Sequence, residues 1–255
     1  MPEIITATHT SESQHWYRID GTPAYTYIDK KGNEKPTTLR EARKETPHLV
    51  PSTTMILRLA DKPQLTEWKI NQAILSALTC PRIDGESETA YLSRIKSDAR
   101  EQAKKAAERG TVIHAWVQQG FDGDCPPEGV PFFESAIETV EKECGDQWWI
   151  CEKSFATDKY GGKCDLHSDE YLLDVKTVDK DLSTLKTWEE HHMQLAAYDN
   201  GILNSTFPSG RKCGILYVHQ FTAESRVVWV TAEELHKGWK MFSALLNYWY
   251  AKTGL

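Results

Sequence analysis

The chain has no CxxC pair and no Cys/His spacing of the zinc-site kind: its six cysteines, Cys80, Cys125, Cys144, Cys151, Cys164 and Cys213, are scattered. This argues against structural zinc and against a regular disulfide framework. There is no internal repeat, no low-complexity segment and no apolar stretch approaching the length of a membrane span. The opening MPEIITATHTSESQHW lacks a basic stretch followed by an apolar run, so the expectation is a cytoplasmic, reduced setting with no membrane partner. Positive charge is short as well. Thirty Lys and Arg against 37 Asp and Glu leave a net charge of −7, which weighs against a protein that coats nucleic acid. It leaves room for segregated charge, with carboxylates gathered at one site and basic residues along a strand path.

What is present is an ordinary globular composition with an aromatic surplus of nine Trp and ten Tyr. At 255 residues the chain can bury a full core, with an added lobe expected. Residues 1–50 read as an N-terminal accessory segment with a hairpin where YTYI and a following strand flank DKKGN. Residues 51–146 read as helical: Ser/Thr capping candidates precede MILRLA, Leu65 to Leu78 repeats the helical spacing, and a long helix from Glu86 to Arg109 meets Gly110 and continues or restarts. Pro131 suits the first turn of a further helix. Residues 147–255 change period. Strands are expected over Trp148 to Ala156, Lys163 to His167 and Tyr171 to Thr177, and a helix over Asp181 to Leu203. Two more strands, Gly214 to Gln220 and Arg226 to Val230, precede a closing helix opened by the capping-box spacing of Thr231 and Glu234. The fold class is α/β, in the order helix, three strands, helix, two strands, helix.

With a turn centred on Asp169 and Glu170, residues whose numbers sum to 339 stand opposite one another, and Asp165 faces Asp174. Like charges so placed repel unless something offsets them, and a divalent cation with oxygen ligands would do so. Alternation puts Leu172, Asp174 and Lys176 on one face and Leu173, Val175 and Thr177 on the other. Two carboxylates and a lysine on one face are the parts that phosphodiester hydrolysis needs. The same pattern is also that of a half-solvated hairpin, and on the hairpin alone that reading stands ahead.

The ordered set G110-T-V-I-H114, Y160-G-G-K-C-D165, D174-V-K176 and Q194-L-A-A-Y198, preceded by P51-S-T-T-M-I-L and D61-K-P-Q-L-T-E-W68, resembles the RecB-like branch of the PD-(D/E)XK nucleases. That branch includes phage exonucleases and the mitochondrial genome maintenance exonuclease. Each motif alone is common; their order over roughly residues 50 to 250 is the specific feature. The resemblance implies a restriction-endonuclease-like αβββαβ core with a mixed sheet flanked by helices. It implies a Mg²⁺- or Mn²⁺-dependent deoxyribonuclease acting from DNA ends in phage or bacterial recombination, replication or repair. It also implies metal binding by His114, Asp165, Asp174 and the carbonyl of Val175, with Lys176 catalytic. Glu152 is a candidate for an outer position or a second metal. Gln194, Tyr198, Thr111 and Ser52 are candidates for DNA binding or support of the site. Gln194 and Tyr198 lie one helical turn apart, and a hydrogen bond to phosphate, base or active-site strand, or a packed helix face, are all open. Lys104 and Lys105, within the basic stretch Arg94 to Arg109, fit either a DNA track or a solvated helix face. Trp68, Trp116, Trp148 and Trp149 are candidates to stack unpaired bases or to fill the core. Asp174 stands where many relatives carry Glu. An iron-sulfur cluster is not expected, since only Cys213 follows Cys164. DNA with free ends or single-stranded character is the expected partner, with a recombination or single-strand-binding protein as a second. The alternatives are a flap or branch endonuclease with the same site, and a non-catalytic DNA-binding assembly subunit.

Overall fold

The structure is a computed structural model that describes residues 15–203 and 207–255. Residues 1–14, most of the opening stretch read above, lie outside the described part. The chain is mixed α/β. A short N-terminal region holds β1 (Trp16–Tyr17), the hairpin β2 (Thr26–Ile28) and β3 (Glu34–Pro36), α1 (Leu39–Ala42) and β4 (Val50–Pro51). Helices α2 (Thr53–Leu57), α3 (Pro63–Thr79), α4 (Glu88–Phe121) and α5 (Val130–Cys144) follow. The remainder is β5 (Ile150–Ala156), β6 (Gly161–His167), β7 (Tyr171–Val178), α6 (Glu189–Leu203), β8 (Lys212–His219), β9 (Ser225–Trp229) and α7 (Ala232–Thr253). Among the described residues no helix is long and apolar enough to cross a membrane.

Strands β5 to β9 form one five-stranded sheet in sequence order. β7 and β8 are parallel, as the crossover through α6 requires, and the other neighbours are antiparallel. A central parallel pair is covered on both faces, and Leu172, Leu173, Ile215 and Leu216 are fully buried, each contributing about 1.5–3 kcal/mol. Leu172 and Ile215 pack on one face with α2, α6, α7 and the N-terminal Trp16 and Leu49. Leu173, Val175 and Leu216 pack on the other against Ile113 and Val117 of α4 and Ala136 and Val140 of α5. The expected alternation along β7 is therefore observed.

Three sequence expectations need correction or sharpening. The stretch before α6 is not helical from Asp181. A 3-10 turn at Leu182–Thr184, capped by the Asp181 carboxylate, breaks from α6, because side chains claim its backbone: Arg226 donates to the carbonyls of Leu182 and Ser183, and Tyr217 to that of Lys186. Secondly, α4 neither stops nor restarts at Gly110 but runs through it for 34 residues, about 50 Å. Glycine is needed there for contact, since a Cβ would sit 2.5 Å from Thr177 Oγ1 on β7. Thirdly, β6 and β7 have the expected register, Leu166 opposite Leu173 and His167 opposite Leu172, but backbone pairing ends there. Asp165 and Asp174 flank the point where the two strands part.

Candidate active site

A central strand buried on both faces has little tolerance for charge, yet β7 carries Asp174, 1% exposed, and Lys176. Such a conflict between burial and residue type marks a site where function overrides packing. The β6–β7 opening supplies the room. The Val175 N–H that would have continued the ladder donates instead to Asp165 Oδ2 at 2.7 Å. A residue's N–H and C=O point to the same edge of an extended strand, so the Val175 carbonyl faces the same opening.

A cleft of about 780 Å³ lies over this opening. It is lined by His114, Glu152, Asp165, Asp174, Val175, Lys176, Gln194 and Tyr198, with Ser52 and Thr111 at its walls. All ten come together from α2, α4, β5, β6, β7 and α6. Ser52 caps α2, its Oγ accepting from the Met55 N–H. Lys104 and Lys105 are elsewhere: both are exposed on α4, bridged to Glu108 and Glu101 one turn away. None of Trp68, Trp116, Trp148 and Trp149 lines the cleft; Trp116 packs with Phe132 and Trp148 is 87% exposed.

His114 Nε2 lies 3.1 Å from Asp165 Oδ2. Burial disfavours the imidazolium, but the Asp165 carboxylate outweighs it and holds the His114 pKa above its ordinary value. Burial likewise acts to raise Asp165, yet His114, Lys176 and the Val175 N–H bring it down to about 2. Asp174 goes the other way. Burial pushes it up to about 6 against the pull of Lys176, and the Asp165 charge adds to the rise. Its Oδ2 lies 2.7 Å from Lys176 Nζ, and its Oδ1 accepts from Gln194 Nε2 at 2.8 Å, which also donates to the Tyr198 hydroxyl. Of the partners left open for Gln194, the structure shows the active-site strand. The repulsion that the register implied is thus met by the chain's own groups: His114 beside Asp165, and Lys176 and Gln194 on Asp174.

Ligand atoms of His114, Glu152 and Asp165 lie within 4.8 Å of one another, so these three could hold a metal ion. Glu152 is placed by an unusual backbone, φ +50°, and its carboxylate meets Lys163 Nζ. In β5–β6 pairing, the register passes from Cys151 opposite Leu166 to Lys153 opposite Cys164 with no pair between them. The interruption falls on Glu152 and Asp165 and lets both turn toward His114.

Sequence reasoning missed several cleft residues. His191 of α6 accepts the Trp188 N–H at Nδ1, 3.2 Å, so its proton resides on Nε2. Burial and then the charge of Lys176 push its pKa down to about 3. It is a neutral donor beside Lys176, and its spacing three before Gln194 could have revealed it. Lys163 could have been found from alternation with Asp165. His15 and Tyr25, stacked at 4.1 Å between centroids, and Tyr17 line the cleft with no local signal. They arrive because β1 pairs with β4 and Ser52 bridges to Gly161 of β6.

No protein-family model matches the chain, and no curated protein matches it. Among solved structures, it is similar to "Putative exonuclease" from Eubacterium rectale, with 15% identity over 55% of this chain and 68% of that one, TM-score 0.35. It is also similar to the protein SSO0001, with 14% identity over 72% of this chain and 86% of that one, TM-score 0.28. Scores this low describe a partial overlap of elements and imply no shared activity.

Proposed function

We propose that the chain is a divalent-metal-dependent deoxyribonuclease with a restriction-endonuclease-like core, hydrolysing DNA phosphodiesters from ends. The observation that carries this reading is the pairing of Asp174 with Lys176 on a buried central strand, facing the opening that gathers His114, Glu152 and Asp165. The carboxylates of Glu152 and Asp165, the His114 imidazole and the Val175 carbonyl form an oxygen-rich set that suits Mg²⁺ or Mn²⁺. When bound there, the ion would polarise a phosphoryl oxygen and lower the pKa of a coordinated water.

The chain's own groups do the rest. Asp174, held by Gln194 and through it by Tyr198, keeps the Lys176 ammonium at the cleft, where it stabilises negative charge growing on the phosphate. His191, held neutral with its proton on Nε2, offers a second donor on the same side. Asp165 is already ionised, and its bonds to His114 and Val175 hold it in place.

The test is incubation with Mg²⁺ and 5′- or 3′-labelled single-stranded, duplex and circular DNA. Cleavage of linear but not circular substrate is expected; cleavage of circles would make the enzyme an endonuclease. Lys176→Met should lose at least about a hundredfold in rate, by analogy with removal of one charge-stabilising donor, while remaining folded. Wild-type turnover in Lys176→Met would refute the mechanism.

A further inference from the structure

Past the carboxyl ends of β7 and β8 the chain makes a tight turn that presents one aromatic ring to solvent. Phe221 is 66% exposed, yet it is firmly placed. His219 Nδ1 accepts the N–H groups of Phe221 and Thr222 at 3.3 and 3.0 Å. Ala223 takes the left-handed conformation, φ +61°, and its N–H returns to the His219 carbonyl. One face of the ring is covered by a cation: the Arg109 guanidinium lies 4.5 Å from its centroid. That guanidinium is fixed by two bonds, from Nε and Nη2, to the Gln220 carbonyl at 3.1 and 2.8 Å.

An exposed phenylalanine needs no special explanation when it stands alone. Here a strained turn, a histidine acceptor and a doubly anchored arginine from another element all serve to hold one flat ring in the open. The turn that carries the ring also adjoins the cleft. Gln220, its neighbour, lines the cleft with Thr177 and Gly110 and is tied to β7 by its N–H on the Val178 carbonyl, 2.7 Å. Lys176 stands opposite Tyr217 in the parallel register, and Phe221 follows Tyr217 by four residues, the last two in the turn, so it lies at most roughly 13 Å beyond Tyr217 along the strand direction. That is within a few nucleotides of a phosphate at the lysine.

We propose that Phe221, backed by Arg109, is a stacking shelf for an unpaired nucleobase of the strand whose phosphate lies at Lys176. The proposal rests on the nuclease reading and adds to it that the strand is unpaired at this distance from the reacting bond. A base covering the open face would complete a guanidinium, phenyl and base stack, to which any of the four bases is suited because each has a π-face. A base already paired and stacked in a duplex has no face to offer.

The experiment is fluorescence anisotropy of wild type, Phe221→Ala and Phe221→Trp with fluorescein-labelled single-stranded and blunt duplex oligonucleotides in Ca²⁺, together with Mg²⁺-dependent cleavage of both. Stacking strength per base predicts that Phe221→Ala weakens single-strand binding about 5- to 150-fold, leaves duplex binding within about twofold, and keeps the melting temperature. Phe221→Trp should bind single strands as well as wild type or better. Single-strand affinity in Phe221→Ala within about twofold of wild type, or equal losses on both substrates, overturns the shelf. Normal cleavage by wild type with an indifferent Phe221→Ala sinks only this proposal. Wild type that neither binds nor cleaves DNA sinks the nuclease reading and the shelf together.

Discussion

Replacing Gly110 by alanine should damage the site more than the fold. The new Cβ would lie 2.5 Å from Thr177 Oγ1 and 3.8 Å from Thr177 Cβ, where ordinary contact begins at 3.4 Å, so about 0.9 Å of separation must be created. Forcing a methyl group into such a contact costs about 1–3 kcal/mol, and alanine returns about 1 kcal/mol of helix propensity. The net is between about zero and 2 kcal/mol of destabilisation, a fall in melting temperature of less than about 8 °C for a domain this size. The functional effect is larger because His114 is only one turn along α4 and reaches Asp165 at 3.1 Å. Lifting the helix from β7 shifts that imidazole, and a displacement of about 1 Å at a reacting centre costs on the order of a hundredfold. Thr177→Ala in the same chain removes the oxygen and leaves contacts of 3.6 Å to Gln220 Nε2 and 3.8 Å to the Cβ of residue 177, both ordinary, so it should restore both quantities. The two changes should then show a coupling of at least about 1 kcal/mol. Thermal melts, Mn²⁺ titration and cleavage rates of the four variants form the assay. Unchanged metal affinity and cleavage in Gly110→Ala, or no recovery in the double variant, would show that this contact does not set the position of His114.

Three further outcomes are expected. The first concerns pH. His114 has a raised pKa in the folded chain, so without metal its stabilising contact with Asp165 is fully present below the ordinary histidine value and is lost as pH rises through the folded one. Metal needs the neutral ring, so apparent Mn²⁺ affinity should climb with pH through that range, and the gap in melting temperature between loaded and free protein should widen; a gap that narrows would exclude His114 as a ligand. Secondly, Glu152→Gly removes a carboxylate from the group and relieves a backbone strain of about 1–3 kcal/mol at φ +50°. Mn²⁺ affinity should fall roughly tenfold or more with the melting temperature unchanged or higher, and a clear loss of stability with full affinity would count against the assignment. Thirdly, Lys104 is seven residues before Thr111 and falls on nearly the same side of α4, whereas Lys105 is turned about 100° away. Lys104→Glu should weaken DNA binding and flatten its salt dependence while Lys105→Glu leaves both alone; equal effects from the two would detach this helix face from the strand path.

The features legible in the sequence are those set by near neighbours. Thr231 and Glu234 form the capping box that their spacing announces, Pro131 sits in the first turn of α5, and the β6–β7 register follows from the length of one turn. Each depends on a few residues close along the chain, where backbone geometry and alternation leave few alternatives. The helix expected from Asp181 failed because its competitors, Arg226 and Tyr217, are 31 or more residues away and claim carbonyls that a helix would have used.

The candidate site divides the same way. Asp165, Asp174 and Lys176 could be placed on one hairpin from local pattern alone, because alternation and a short turn determine which side chains share a face. Only the tertiary structure decided how their charges are met. His114 reaches Asp165 because a glycine lets a 34-residue helix lie on β7, and Gln194 reaches Asp174 because α6 crosses back over the sheet. Glu152 turns inward because β5 and β6 lose one pairing step. These are contacts between elements, fixed by packing rather than by spacing, and no stretch of the sequence contains them.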